Sequence, residues 1–161
     1  MRGVIPLKSG SKISSTPKEP ISKPQNPRVY EYALSDFIAE PVEGESVISW
    51  CLPGLAAQQL RDLKQGRLRI EARVDLHGLN TEEARNLLTQ FIHNQKKEQR
   101  RHVLIIHGKG GHQGQPPVIK NLINRWLPQF QEVLAFHSAL PRDGGTGAVY
   151  VLLKRTHSAR D

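Results

Sequence analysis

The spacing of apolar residues is regular from residue 72 onward and predicts an alternation of strands and helices. Strands are predicted at four short apolar runs: "ARVDL" (72–76), "HVLII" (102–106), "EVLAFH" (132–137) and "GAVYVLLK" (147–154). Between the first two strands, apolar residues fall on one helical stripe at Ala84, Leu87, Leu88, Phe91 and Ile92. A second helix is predicted before Pro128, with apolar positions at Val118, Ile119, Leu122, Ile123, Trp126 and Leu127.

A polar cap accompanies the first of these helices. Asn80 stands where an N-cap residue is expected, and Glu83 follows three residues later, as in a capping box. The order of elements is therefore β-α-β-α-β-β, and two successive crossovers through helices favour parallel strands with right-handed connections. We expect an α/β fold, a two-layer sandwich in which helices cover a four-stranded sheet.

The segments outside residues 72–155 have a different composition. Residues 1–29 contain five prolines and five serines, and their few large apolar residues cannot offset the entropy of ordering, so we expect a disordered basic tail. Residues 30–71 are interpreted as an N-terminal extension, with one short helix predicted over 53–66. Residues 156–161 are expected to form a short tail.

The net charge of +8 over 161 residues is unevenly distributed. The N-terminal tail carries six Lys or Arg and one acid, residues 30–72 carry four against seven, and residues 73–155 carry twelve against six. Positive charge in a tail and in a folded domain is typical of proteins that bind polyanions. We therefore expect a nucleic-acid partner, with the ribosome as a further candidate. The alternative is a basic surface that serves solubility alone.

Cysteine usage and hydropathy favour a cytoplasmic protein. Cys51 is the single cysteine, so it offers neither an intramolecular disulfide nor a cysteine cluster for zinc. No stretch approaches the roughly 20 apolar residues that a membrane-spanning helix requires, and residues 1–16 lack the apolar run of a signal peptide. We expect no membrane partner.

Three polar, glycine-containing loops adjoin the predicted strands. "DLHG" (75–78) and "HGKGG" (107–111) follow the first two strands, and "PRDGGTG" (141–147) precedes the last. In an open α/β sheet, the C-terminal ends of parallel strands form the usual ligand crevice. The first two loops should therefore share one edge, and the third joins them if the third strand is also parallel.

An acid and an imidazole, Asp75 and His77, lie two residues apart in the first loop. Side chains at i and i+2 of a strand point to one face, so the two can lie side by side. A neighbouring carboxylate fixes the tautomer of an imidazole, which suits a general base near neutral pH. A metal site would need a third ligand from elsewhere. The structural alternative is that Asp75 caps the turn and His77 is a half-buried spacer.

The other two loops combine glycines with cations. In the second loop, His107 and Lys109 alternate with Gly108 and Gly110. In the third loop, Arg142 is followed by three glycines at Gly144, Gly145 and Gly147. Glycines let backbone N–H groups approach a phosphate closely, and the N-terminus of a following helix favours an anion. Together the three loops suggest a site for a phosphodiester.

Three motifs in this order resemble the Smr (small MutS-related) domain: "VDLHG", "IIHGKG" and "GGTGAVYVLL". The resemblance covers roughly residues 72–155, and "LRDLKQGRLRIEARVDLHG" is similar to the lead-in of stand-alone Smr proteins of bacteria. It implies a fold similar to the C-terminal domain of translation initiation factor three. It also implies an endonuclease activity on DNA or RNA, including mRNA on collided ribosomes.

The resemblance also assigns residues. The acid and imidazole of its first motif fall on Asp75 and His77, and His107 stands where the family frequently has Thr. The catalytic candidates are Asp75, His77 and His107. The candidates for binding phosphate or nucleic acid are Gly108, Lys109, Gly110, Arg142, Gly144, Gly145 and Gly147.

We favour an endonuclease that cuts RNA without a metal or other cofactor. His77, oriented by Asp75, would take the proton of a ribose 2′-hydroxyl, which attacks the adjacent phosphate while Lys109, Arg142 and loop amides stabilise negative charge. The expected products carry a 2′,3′-cyclic phosphate and a 5′-hydroxyl. One alternative is a DNA-nicking endonuclease, whose pair would activate water or hold a metal. Another is a non-catalytic module that binds nucleic acid or the ribosome.

Overall fold

The computed structural model describes residues 34–110 and 117–155. The predicted basic tail, the C-terminal tail and residues 111–116, of which residue 111 ends the second loop, lie outside the described residues. The elements are β1 (Ser49–Cys51), α1 (Ala57–Lys64), β2 (Ala72–Asp75), α2 (Thr81–Lys97), β3 (His102–Ile106), α3 (Val118–Trp126), β4 (Val133–Ser138) and β5 (Ala148–Leu153), with 3₁₀ turns at Leu127–Gln129, Pro141–Asp143 and Gly145–Gly147. No helix in the described part of the chain is long and apolar enough to cross a membrane.

The strands form one five-stranded sheet in the order β1-β4-β5-β3-β2. β2 and β3 pair in parallel, whereas β5 runs antiparallel to both of its neighbours, β3 and β4. β2, β3 and β4 therefore point in the same direction, and their C-terminal ends lie along one edge of the sheet. The predicted α/β fold and the order β-α-β-α-β-β are confirmed.

The predicted number of four strands was wrong by one. The additional strand, β1, belongs to the N-terminal extension and pairs antiparallel with β4, with Trp50 opposite Phe136 and Cys51 opposite Ala135. Three residues are too few to show a recognisable alternation of apolar and polar positions. The pairing also joins segments far apart in the chain, so no local pattern reports it.

Helices cover both faces of the sheet. On one face, Leu63 of α1 packs against Leu104, Tyr150 and Leu152. The strand residues between these point to the opposite face, where the apolar stripes of α2 and α3 are buried. All six residues of the central strand β5 are buried, as expected for a strand covered on both sides. The sheet and the helices α2 and α3 therefore form the two predicted layers, and α1 covers the other face of the sheet.

The boundary of α2 was predicted more accurately than that of α1. Asn80 Oδ1 accepts a hydrogen bond from the Glu83 N–H at 2.8 Å, and Glu83 Oε1 accepts one from the Asn80 N–H at 3.1 Å, which completes the predicted capping box. α1 was predicted over 53–66 but begins only at Ala57. A turn at residues 53–54 precedes it, closed by a 3.2 Å hydrogen bond from the N–H of residue 55 to the carbonyl of residue 52.

Candidate functional site

The acid and the imidazole of the first loop are in direct contact. Asp75 is the last residue of β2, and the fully buried Leu76 anchors the chain just after it. Asp75 Oδ1 accepts a 3.0 Å hydrogen bond from the His77 backbone N–H and lies 2.6 Å from Nδ1 of the His77 ring. The side chains of Asp75 and His77 are 51% and 68% exposed. Asp75 therefore does hold the turn, but His77 is open to solvent and accessible to a ligand.

The contact favours the ionised form of Asp75. Partial burial acts to raise the pKa of Asp75, but the hydrogen bonds and charge of His77 together lower that pKa below its ordinary value. An ionised carboxylate accepts a hydrogen from Nδ1, and in the tautomer that carries this hydrogen Nε2 is the acceptor atom of the ring. Among the residues that the structure describes, no third His, Cys, Asp or Glu joins the pair as a metal ligand.

The second loop lies against the first and is tied to the third. The backbone N–H groups of His107 and Gly108 both donate to the carbonyl oxygen of Gly147, at 2.9 Å each. Gly108 has a φ of 79°, and a Cβ placed on it would lie 3.1 Å from the Cβ of His77. Glycine therefore permits both the backbone conformation and the close approach. The structure brings the three predicted loops together at one edge of the sheet.

The N–H groups of four predicted phosphate-binding glycines are engaged within the loops. Gly144, Gly145 and Gly147 donate to carbonyls at 140–144, at distances of 2.9 to 3.3 Å, and Gly108 donates to Gly147. Gly144 has a φ of 119°, a conformation that favours glycine. In this structure these glycines shape and join the loops.

The side chain of His107, a predicted catalytic candidate at the start of the second loop, points into the protein interior. Its side chain is buried, with the residue 3% exposed, and Nδ1 lies 2.7 Å from the carbonyl oxygen of Gly108. Burial lowers the pKa of the ring to about 4, the hydrogen bond to Gly108 opposes this shift, and the charge of Lys120 adds to it. The ring is therefore neutral at pH 7. Its Nε2 has no hydrogen-bond partner among the described residues.

Lys109 and Gly110 occupy the exposed part of the second loop. Lys109 Nζ lies 3.1 Å from Oε2 of Glu45, and the Thr146 hydroxyl donates to Oε1 of the same carboxylate at 3.2 Å. Gly110 has a φ of 57°, and a Cβ on it would lie 2.9 Å from Pro117. The loop therefore passes close to the start of α3 while Lys109 faces an anion.

Arg142 makes its contacts away from the first two loops. Its guanidinium donates to the carbonyl oxygen of Gly66, at the end of α1, at 2.8 Å. Its Nε also lies 3.5 Å from Asp143 in the same loop. Within the described residues, the structure brings Asp75, His77 and Lys109 to neighbouring loops but shows no contact that joins Arg142 to them.

The face of the sheet that carries Asp75 also carries exposed arginines. Arg73 points to the same face of β2 and is exposed. Apolar residues of the segment before β2 pack against the sheet, and Arg67 and Arg69, which alternate with them, are exposed. The sequence predicted an excess of positive charge, but this grouping follows only from knowledge of which side each residue faces.

Three residues that the sequence did not single out belong to the site: Glu45, Thr146 and Lys120. Lys120 is fully buried in α3, and its ammonium donates to the carbonyl oxygens of Gly44, at 2.9 Å, and Ser46. The sequence offered one signal for Lys120, its position next to the apolar stripe of a helix. A lysine buried there needs polar partners from elsewhere in the chain. Glu45 gave no local signal.

Comparisons with known proteins match the part of the chain that carries the three loops. The Smr domain model matches residues 74–154, which include all three loops. The probable DNA endonuclease SmrA of Escherichia coli (strain K12) is 30% identical over 99% of this chain and 87% of its own length. The ribosome rescue factor SmrB of Yersinia enterocolitica is 32% identical over 76% of this chain and 67% of its own length.

A solved structure shows the same fold. The crystal structure of YdaL, a stand-alone small MutS-related protein from Escherichia coli, matches with a TM-score of 0.69 and 29% identity. The match covers 80% of this chain and 98% of that protein. With the three loops in place at one edge of such a sheet, the chain belongs to the Smr domain family.

Proposed function

We propose that this protein is an endonuclease that cuts RNA at the Asp75–His77 pair. The observation that carries the proposal is the exposed 2.6 Å contact between Asp75 Oδ1 and His77 Nδ1, beside a loop that presents Lys109. The relatives support a nuclease or a ribosome-associated role, because one is named a probable DNA endonuclease and another a ribosome rescue factor.

His77 is the general base of the proposed reaction. Its Nε2 takes the proton of a ribose 2′-hydroxyl, and the 2′ oxygen forms a bond to the adjacent phosphorus. The bond from phosphorus to the 5′ oxygen then breaks, the leaving oxygen takes up a proton from water at this exposed edge, and His77 gives its proton back to the hydroxide that remains. Asp75 holds the required tautomer and stabilises the imidazolium that forms. The products carry a 2′,3′-cyclic phosphate and a 5′-hydroxyl.

Lys109 is the proposed ligand of the reacting phosphate. It follows Gly108, which packs on His77, so the backbone of the loop that presents its ammonium lies next to the ring. A cation held in place by the fold stabilises charge that develops in the transition state. In this proposal His107 positions Gly108 from behind, since its ring is buried. The glycines set the loop shape: Gly108, Gly110, Gly144, Gly145 and Gly147.

The exposed arginines on the face of the sheet that carries Asp75 offer a path for the rest of the RNA. Arg67, Arg69 and Arg73 are exposed there, and Arg142 is exposed in the third loop. Arginines on a polyanion path contact phosphates, and each such contact makes the affinity depend more steeply on salt. In the proposal these residues, including Arg142, bind the backbone at a distance from the reacting phosphate.

The name of the SmrA relative favours a second candidate, the nicking of DNA. DNA has no 2′-hydroxyl, so the same pair would have to activate water or take part in binding a metal. The two reactions leave different ends, because attack by water leaves no cyclic phosphate. End-group analysis therefore separates them.

The proposal is tested by scoring binding and cleavage separately on matched single-stranded RNA and DNA. The wild type is compared in EDTA with Asp75→Asn and His77→Gln, and with His93→Gln in α2 as a histidine control outside the site. Each variant of the pair should bind RNA normally and lose cleavage by about 100-fold or more, the usual contribution of a general base. The control should cut like the wild type.

Other outcomes would contradict the proposal. A wild type that binds both polymers and cuts neither would favour a non-catalytic binding module. Strict dependence on Mg²⁺ together with 5′-phosphate products would favour the DNA-nicking candidate.

A further inference from the structure

The N-terminal extension places an acidic turn on the loop that carries Lys109. Residues 43–46 form this turn, which is closed by a 3.0 Å hydrogen bond from the Ser46 N–H to the carbonyl oxygen of Glu43. A Cβ placed on Gly44 would lie 3.0 Å from the carbonyl oxygen of Lys109. The glycine therefore lets the backbone of the turn rest directly on the second loop.

Two side chains of α3 hold this turn in place. Lys120, which is fully buried, donates to the carbonyl oxygens of Gly44 and Ser46. Asn121 accepts a 2.7 Å hydrogen bond from the Val42 N–H and donates to the Val42 carbonyl at 3.0 Å. Because a buried ammonium and a buried amide are both satisfied by the backbone at 42–46, this segment has a defined position.

The position brings the Glu45 carboxylate onto the exposed cation of the second loop. Its two oxygens lie 3.1 and 3.4 Å from Lys109 Nζ, and one accepts the Thr146 hydroxyl at 3.2 Å. The hydrogen bond and charge of Lys109 hold the pKa of Glu45 below its ordinary value. Glu45 is thus an anion bound between the second and third loops.

We propose that the Glu45 carboxylate occupies the place of a substrate phosphate at Lys109 and Thr146, so that a polynucleotide must displace it to bind. The inference rests on the proposed function, which makes Lys109 the ligand of the reacting phosphate. Carboxylate and phosphate oxygens accept from the same ammonium and hydroxyl donors. A phosphate brought to Lys109 while Glu45 remains would meet a like charge.

The expected size of this competition follows from the exposure of the pair. Exposed ion pairs contribute little to stability, which corresponds to a factor of about two to five in an equilibrium constant. Glu45 should therefore weaken the binding of a phosphate at this position by about two- to fivefold. This factor is small enough for a polynucleotide with several other contacts to overcome.

The experiment measures the affinity of the full chain for a labelled single-stranded DNA oligonucleotide, which has phosphates but no 2′-hydroxyl. The variant Glu45→Gln removes the competing charge. The matched control is Glu43→Gln, an exposed acid of the same turn whose backbone, rather than its carboxylate, makes the hydrogen bonds of the turn. Both variants are repeated in a Lys109→Gln background.

Glu45→Gln should tighten binding by about two- to fivefold more than Glu43→Gln. The difference between them should disappear in the Lys109→Gln background, because the competed cation is then absent. Equal effects of the two variants, weaker binding by Glu45→Gln, or a gain that persists without Lys109 would each overturn the inference.

The outcome is separable from that of the proposed function. If the wild type cuts no RNA but Glu45→Gln shows the Lys109-dependent gain, the nuclease proposal fails and the competing anion stands. If RNA is cut and the two glutamine variants bind alike, only the present inference fails. If the chain binds no oligonucleotide, both fail.

Discussion

Replacing His107 with a residue that does not titrate should flatten the pH dependence of stability in mildly acidic solution. The ring is buried, and its pKa in the folded protein is about 4 against 6.5 for an ordinary histidine. Below pH 6.5 the unfolded chain therefore binds a proton that the folded protein does not, so stability falls as the pH falls toward 4. Below that pH both states are protonated and the loss levels off.

The size of the effect follows from the difference between the two pKa values. One pH unit of differential protonation corresponds to about 1.4 kcal/mol. Between about pH 7.5 and pH 4.5, His107 alone should cost the wild type about 2.5 kcal/mol of unfolding free energy. Asp75, whose pKa is lowered from its ordinary value, supplies stability that is lost mainly below this window.

The assay is urea denaturation of the wild type, His107→Gln and His107→Thr at several pH values across this window. Both variants should lose about 2.5 kcal/mol less than the wild type between the two ends. The replacements differ in size and will change stability at neutral pH by different amounts, but their pH slopes should agree with each other. Curves parallel to that of the wild type would refute the reasoning, because they would show a ring that is protonated equally in both states.

Three further predictions concern the supports of the site and are measured by denaturation at neutral pH. Gly144→Ala should cost about 2 kcal/mol or more of unfolding free energy, because the new Cβ would lie 2.8 Å from the Cβ of Ala148 at a positive φ. Gly145→Ala, whose Cβ would have no atom within 4 Å, should cost about 1 kcal/mol, and equal losses would contradict the steric argument. Lys120→Met should cost about 2 kcal/mol, since two carbonyl oxygens lose a charged donor, and an unchanged midpoint would show that the ammonium does not hold the turn. Asn80→Ala should cost about 1 kcal/mol of unfolding free energy through the lost cap of α2. A loss of only a few tenths of a kcal/mol would argue against the capping box in solution.

The elements around the site were predictable from the sequence because their patterns are local. The stripe of α2 and its cap at Asn80 specify a helix without reference to the rest of the chain. The continuous apolar runs of β3 and β5 indicate buried strands in the same way. Since connections through helices favour parallel strands, the meeting of the first two loops followed from the order of elements.

Other features of the site depend on contacts between distant segments, and the sequence does not encode them locally. The burial of His107 and the exposure of Lys109, two residues apart, depend on how the loop sits against Gly147. Lys120 reaches backbone 74 to 76 residues away. Glu45 was one acid in an irregular, acidic stretch, and its role near Lys109 is visible only when β1 pairs with β4 and brings the extension to the site.

The central claim is that His77 activates a ribose 2′-hydroxyl as the nucleophile. After a cleavage site has been mapped on an RNA, the nucleotide on the 5′ side of the broken bond is replaced with its 2′-deoxy form in an otherwise identical strand. Cleavage at that bond should fall by about 100-fold or more, while binding is unchanged and other bonds are cut as before. Undiminished cleavage at the deoxy position would contradict the account.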